Sequence, residues 1–513
     1  MRIFRYIQLC FLLLSIGVFT SCFDDEGNYE YKEIGEAVIK SIPGVTDHGN
    51  KFVCLENEKI SLIPEVEFLA GTTAADYEFI WFRFPQDPQG TTYHYEQADT
   101  LAMTQNLDYQ IVDSPRDYWL IYKVRNKKTG ALTEQKFEFI ISAVNGWIVL
   151  DEDVSGNGDI HIIRDADIVE GGDGRIVANY FSVNNGGKKM RNSRFIGLCP
   201  QQPNLYVYSD DGAYIMNAST YMERPKMSYA DLFNVTLDVV NPQAANYIPR
   251  GYNTEVLVNN HIIYAIGYRA YGWSKFKDIS ESLKYKAAPA IVPIQIAGDN
   301  NAVLFDMENN RFLTVDKWGN LFAPISTGIF DVGAIDPSLK YVYMGEGKDG
   351  ETCLIMKNET GDLSMFRVNL AMSEPVPVAL LDLGHLPEIS HAVHYTFGIR
   401  GNYMFYATDS KIYSWRFGGE TASEFFSVGS GEKIVQMKLY SNSSDKVLNG
   451  KVLFVATQKG NEGKVYKVIF NEMSGLSSGK SQEYTGFGII RSAASKRIAS
   501  QASTWNCSSN SVK

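Results

Sequence analysis

Between Ala37 and Ala143, apolar and polar positions alternate with period two in short bursts separated by turn residues. Val38–Ile42, Ile60–Pro64, Tyr77–Phe82, Tyr118–Val124 and Lys136–Ile141 each read as a half-buried strand. Asn126-Lys127-Lys128-Thr129-Gly130 supplies the turn between the last two. Such strands over roughly a hundred residues predict an N-terminal β-sandwich at 37–144, with Trp81 as its buried core tryptophan.

The pattern changes at Gly146-Trp147-Ile148-Val149-Leu150. From there to Arg491, strand–turn–strand units recur every ~25 to 50 residues. Their strands include Asp159–Ile163, Leu205–Tyr208 with Ala213–Met216, Glu255–Val258 with Ile262–Ile266, and Ala302–Asp306 with Arg311–Val315. They continue through Val332–Asp336, Tyr341–Met344 and Thr352–Met356, then His394–Phe397, Tyr403–Ala407 and Lys411–Trp415. Ile434–Leu439, Lys451–Ala456 and Gly463–Val468 follow. About seven such units predict a β-propeller over 145–491, because a closed ring gives each sheet two neighbours and leaves only short edges. A pair of β-sandwiches is the rival. Closure needs a seam, and Gly486–Ile490 is the segment expected to pair with the Trp147 strand. Residues 492–513 are polar and Ser-rich and read as a tail. The fold class is therefore all-β.

The first residues carry a different signal. A basic start, an apolar run from Tyr6 to Val18 and small residues ahead of Cys22 make residues 1–21 a secretory signal peptide. The run is too short to be a spanning helix. Phe19-Thr20-Ser21-Cys22 resembles a bacterial lipobox, which implies that Cys22 becomes the lipidated first residue of the mature chain. Several acyl chains, at about 0.8 kcal/mol per buried methylene, hold a protein stably at a membrane. Residues 22–36 then form the tether. Asp24, Asp25 and Glu26 resemble the acidic export signal of Bacteroidota surface lipoproteins; a solvated charge run is the plainer reading.

Composition narrows the partners. The 513 residues carry a net charge of -11, and no basic stripe of the kind nucleic acid needs is present. Of six cysteines, Cys10 leaves with the leader and Cys22 is the anchor. Cys54, Cys199, Cys353 and Cys507 are scattered without a Cys-x-x-Cys pair, so small buried hydrophobes are the default and zinc is not expected. Their disulfide state is open.

The residues quoted so far, with Asn28-Tyr29-Glu30-Tyr31-Lys32, Tyr208-Ser209-Asp210-Asp211-Gly212, Phe405-Tyr406-Ala407-Thr408, Gly460–Tyr466 and Tyr484–Gly488, resemble the PKD-like-family surface lipoproteins of Bacteroidota. The likeness runs over about residues 19–490. It implies an outer-membrane lipoprotein, facing the cell exterior, beside a TonB-dependent transporter of the starch-utilisation type and its lid lipoprotein. It implies help in capturing a glycan or peptide, and it brings no catalytic residues.

Among local constellations, Tyr268, Arg269, Tyr271, Trp273 and Lys275 make the most ligand-like stretch, since aromatic faces stack on rings and basic groups supply directed donors. Aromatics folded onto the propeller explain it as well. His391 and His394, three apart on a strand, would face opposite ways, so no metal site is expected. Asp151, Asp153, Ser155 and Gly156 fall at calcium-loop positions, but Ile162 stands where the closing glutamate is required, and an Asp/Gly/Asn hairpin turn accounts for them equally. No cofactor is expected, calcium being the weak candidate. No nucleophile elbow, zinc-protease motif or phosphate loop occurs. The leading expectation is a non-catalytic surface binding or docking protein. The alternatives are a polysaccharide hydrolase or lyase with the propeller as catalytic domain, and a structural partner of a transporter.

Overall fold

The computed structural model describes residues 37–496, apart from 57, 87–96, 114–115, 143, 170–171, 200–203, 219, 225, 249–253, 268–273, 281–282 and 442–446. The described chain is almost entirely strand and turn. It divides into two compact units, one within 37–140 and one from 141 onward that also takes in 53–58 and 111–115.

In the N-terminal unit a five-stranded sheet runs in the order Lys51–Leu55, Leu132–Ser142, Arg116–Asn126, Tyr77–Pro85, Asp99–Ala102. Two short ribbons complete the sandwich: Val38–Ser41 with Glu65–Glu67, and Lys59–Leu62 with Leu107–Gln110. Trp81 is fully buried and stacks on its cross-strand partner Tyr122 at 4.3 Å. Its Nε1–H donates to the carbonyls of Thr104 and Gln105, so the indole's polar end is satisfied inside the core. At the turn the Asn126 Oδ1 accepts the amides of Lys128 and Thr129, which is why that cluster reverses the chain.

Among the described residues the second unit holds seven antiparallel sheets in chain order, the blades of a propeller. Their inner strands are Ser193–Cys199 (blade 2), Pro242–Ile248 (blade 3), Val292–Pro293 (blade 4), Lys340–Glu346 (blade 5), His394–Phe397 (blade 6) and Lys433–Leu439 (blade 7). Blade 1 takes its inner strand from the far end of the sequence. Ile489–Lys496 pairs along Gly146–Glu152, with Ser495 opposite Trp147 and Ile490 opposite Asp151.

A buried apolar cluster fills each blade junction, including the one between blades 7 and 1. The second strand of blade 4 shows why its sequence is apolar without a break. Ala302 and Leu304 pack toward blade 3 while Val303 and Phe305 pack toward blade 5. Both faces of a middle strand are covered, so strict alternation disappears.

The seam is also pinned by polar groups. Asp151 accepts the Gly488 amide at 2.6 Å and meets His161 Nε2 at 2.9 Å. Glu152 accepts Arg491 Nε at 2.8 Å and the Ser193 amide at 3.0 Å. From blade 7, the Lys467 ammonium and the Tyr484 hydroxyl both donate to the buried Asp165 carboxylate of blade 1.

Three expectations need correction. Val332–Asp336 is not a strand: it turns, and Val332 and Ile335 drop their side chains into the junction of blades 4 and 5. The closing strand begins at Ile489 rather than Gly486, because Gly486 and Phe487 end the outer strand of blade 7, Ser477–Phe487. It continues to Lys496, so 492–496 is sheet rather than tail.

Candidate functional site

The inner strands surround a central cavity of about 110 Å³. Each strand that forms the wall must turn part of itself away from a blade junction, and bulges do this repeatedly. Register shifts fall beside Arg194, Gln243, Val342, Val435 and Arg491, in the inner strands of blades 2, 3, 5, 7 and 1. The residues that follow four of these positions, Phe195, Tyr343, Gln436 and Ser492, line the cavity.

The charged groups of the wall are already engaged. Arg194 donates to Asp210 and to the Asn241 Oδ1 at 2.8 Å. Arg491 is held by Glu152. Lys438 Nζ donates to the Ala493 carbonyl at 2.8 Å, tying blade 7 to the closing strand. Glu346 accepts from Gln295 Nε2 at 3.0 Å, and the same amide lies 3.5 Å from the Ser441 hydroxyl. Gln295 therefore links blade 5 to blade 7 across the opening. His394, also on the wall, has its imidazole held below the ordinary histidine value by burial, against the opposing effects of the Ile434 backbone and Asp409.

The neutral groups behave differently. Trp147 Nε1, Gln436 Oε1 and Ser492 Oγ are buried and find no hydrogen-bond partner among the described residues. Trp147 is 2% exposed and Ser492 1% exposed. Their residues belong to the cavity wall, but the atoms are sealed from it: Trp147 packs toward blade 7, and Ser492, opposite Leu150, lies on the sheet face toward blade 2. A buried polar atom without a partner costs about 1–3 kcal/mol, so each of the three is a local cost of the fold.

Of the residues singled out from sequence, His394 reaches the cavity wall. Cys22, Asp24, Asp25 and Glu26 fall outside the described residues, as do Tyr268, Arg269, Tyr271 and Trp273. Lys275 is exposed, next to the buried Phe276 that anchors the segment against Phe233. The three clustered histidines are separated in role: His385 packs edge-on to Trp415, His391 is exposed and His394 lines the cavity. In the calcium-like stretch, Asp153 Oδ1 accepts the amides of Ser155 and Asn157 and its Oδ2 accepts Asn157 Nδ2, a hairpin-turn pattern. Asp316 and Asn320 repeat it in blade 4. Among the described residues no group of three His, Cys, Asp or Glu is placed to hold a metal ion. Cys54, Cys199 and Cys353 are buried, as small hydrophobes would be.

Sequence reasoning missed the cavity. Its unpartnered groups come from positions 147, 436 and 492, far apart in the chain, and the last lay in the stretch read as tail. The polar Gln436 and Lys438 inside an otherwise apolar inner strand were the available signal.

A model of the PKD-like family matches residues 22–192, which takes in the sandwich and the first blade. No curated protein matches. A quinoprotein alcohol dehydrogenase-like protein of Bacteroides thetaiotaomicron is similar at 12% identity and a TM-score of 0.41, covering 86% of this chain and 95% of that one. A protein from Lactobacillus plantarum is similar at 10% identity and a TM-score of 0.46, covering 68% and 98%. A protein of unknown function from Bacteroides thetaiotaomicron covers 89% and 99% at 9% identity, with a TM-score of 0.29.

Proposed function

We propose that this chain is a non-catalytic binding lipoprotein of the outer-membrane surface. Lipid on Cys22 holds it, and Asp24, Asp25 and Glu26 direct it outward. It serves a TonB-dependent nutrient-uptake complex by binding a glycan or peptide. The observation that carries the binding half is the central cavity, whose wall sets the aromatic Phe195, Tyr343, Tyr395 and Phe397 beside the polar Glu346, Gln436 and Lys438. The carboxylate–imidazole contact of Asp151 with His161 is engaged at the blade 1 seam, where Asp151 also accepts the Gly488 amide.

The anchor is tested by mass spectrometry of the mature N-terminus and by Cys22→Ala. Acyl mass on residue 22 and release of the variant into the soluble fraction are expected. An unacylated terminus would sink the surface role. Binding is tested on glycan and peptide arrays with a product assay alongside; turnover of any array member would favour the hydrolase or lyase instead.

A further inference from the structure

We propose that Lys467 of blade 7 and Asp165 of blade 1 condense to an intramolecular amide, a covalent clasp across the seam of the ring.

The pair is the most enclosed ion pair among the described residues, with side chains 4% and 1% exposed. Lys467 lies on Glu462–Phe470 and points the same way as Val465, into the apolar junction that Ile163, Ile168 and Tyr484 also fill. Its strand is paired on both sides, with Phe454 and Gln482 opposite it. Asp165 is equally fixed, since its carbonyl accepts the Ile168 and Val169 amides. Two charges held in such a place recover little against the loss of their hydration. A neutral amide removes both.

Every atom of the condensation has a partner in place. The Lys467 ammonium donates to Asp165 Oδ2 and, at 2.8 Å, to Asp167 Oδ2. The Tyr484 hydroxyl donates to Asp165 Oδ2. Burial, with the Asp165 carboxylate beside it, pushes the Tyr484 pKa up, so this hydroxyl stays a donor. Asp165 Oδ1 accepts the Asp167 amide at 2.9 Å. Held groups of this kind react with the large effective concentrations of intramolecular chemistry.

The steps balance without a further reactant. One ammonium proton crosses to Oδ2, leaving an amine beside a carboxylic acid. The Nζ lone pair bonds to Cγ, and the negative charge gathers on Oδ1 against the Asp167 N–H. The Asp167 carboxylate takes the second nitrogen proton, and Tyr484 supplies a proton to Oδ2. The Cγ–Oδ2 bond breaks, water departs, and the proton on Asp167 restores Tyr484 through solvent. Asp167 is 57% exposed, which gives both the water and the proton a way out. One carboxylate and one ammonium become one amide and one water. The bond joins positions 302 residues apart, so a ring otherwise closed by strand pairing could no longer come fully open.

The test is tryptic digestion of the denatured full-length protein with tandem mass spectrometry. Trypsin does not cut at an acylated lysine. The expected product is residues 165–175 joined to 465–480, lighter by one water than the two peptides together, with fragments placing the bond on Asp165. Lys467→Arg supplies the unlinked reference. Asp167→Ala and Tyr484→Phe should each slow condensation about a hundredfold, read as chain still unlinked at harvest. Free 165–175 and 465–467 as the sole products from the unaltered protein would overturn the clasp and leave an ion pair, whether or not the variants fold. Complete linkage in both variants would overturn the proton route. A bond on Asp167 would overturn the choice of acyl donor.

Discussion

Gly488 carries the crossing between the last blade and the first. A Cβ there would lie 2.5 Å from the Glu152 carbonyl oxygen, a backbone atom that cannot swing aside. The same residue donates its amide to Asp151. Gly488→Ala should therefore cost about 1–3 kcal/mol, the range for forced overpacking, read as a lower denaturant midpoint. His394 gives a pH effect of fixed sign. Its pKa is lowered in the folded state, chiefly by burial, so the unfolded chain binds the extra proton first as pH falls. Its contribution is neutral above the ordinary histidine value near 6.5 and turns destabilising below it. Stability should drop between pH 7.5 and 5, and His394→Gln should make that drop smaller when the two melting curves are compared. Single residues were unevenly legible in the sequence. Trp81 announced itself because a tryptophan in an alternating strand has few places to go but inward. Ser492 did not, because a serine among serines looks like solvent-facing chain until a partner strand covers it.

Among elements, the middle strands of the blades were the readable ones. Tyr403–Ala407 and Val452–Lys459 are apolar along most of their length because neighbouring blades cover both faces. Inner and outer strands were harder. Val292–Pro293 is two residues long, and Ser477–Phe487 is polar because it lies at an exposed edge, where charge and polarity discourage pairing with other chains. Val332–Asp336 misled for the opposite reason: its apolar residues serve a junction from a turn, so burial alone mimicked a strand. The closing strand yields a sharp expectation. A chain stopped after Lys496 should melt like the full-length protein. One stopped after Gly488 loses the inner strand of blade 1 and should lose its cooperative melting transition, followed by circular dichroism.

At the scale of the whole molecule, all-β composition and the count of repeats were visible in the sequence, while the site was not. Its wall is drawn from inner strands spread over most of the second unit, and no window of sequence holds two of its unpartnered groups. The proposed lipid tether, by contrast, rests on the first two dozen residues of the sequence alone.

That the first blade waits for the last strand has a bearing on biogenesis. A polypeptide made amino end first delivers Gly146–Glu152 hundreds of residues ahead of the segment that must lie beside it. Until then the early sheet presents a bare edge, and contacts this remote in sequence form slowly. A need for chaperone escort of the incomplete chain, and intolerance of bulky fusions placed directly after Lys496, follow from that delay.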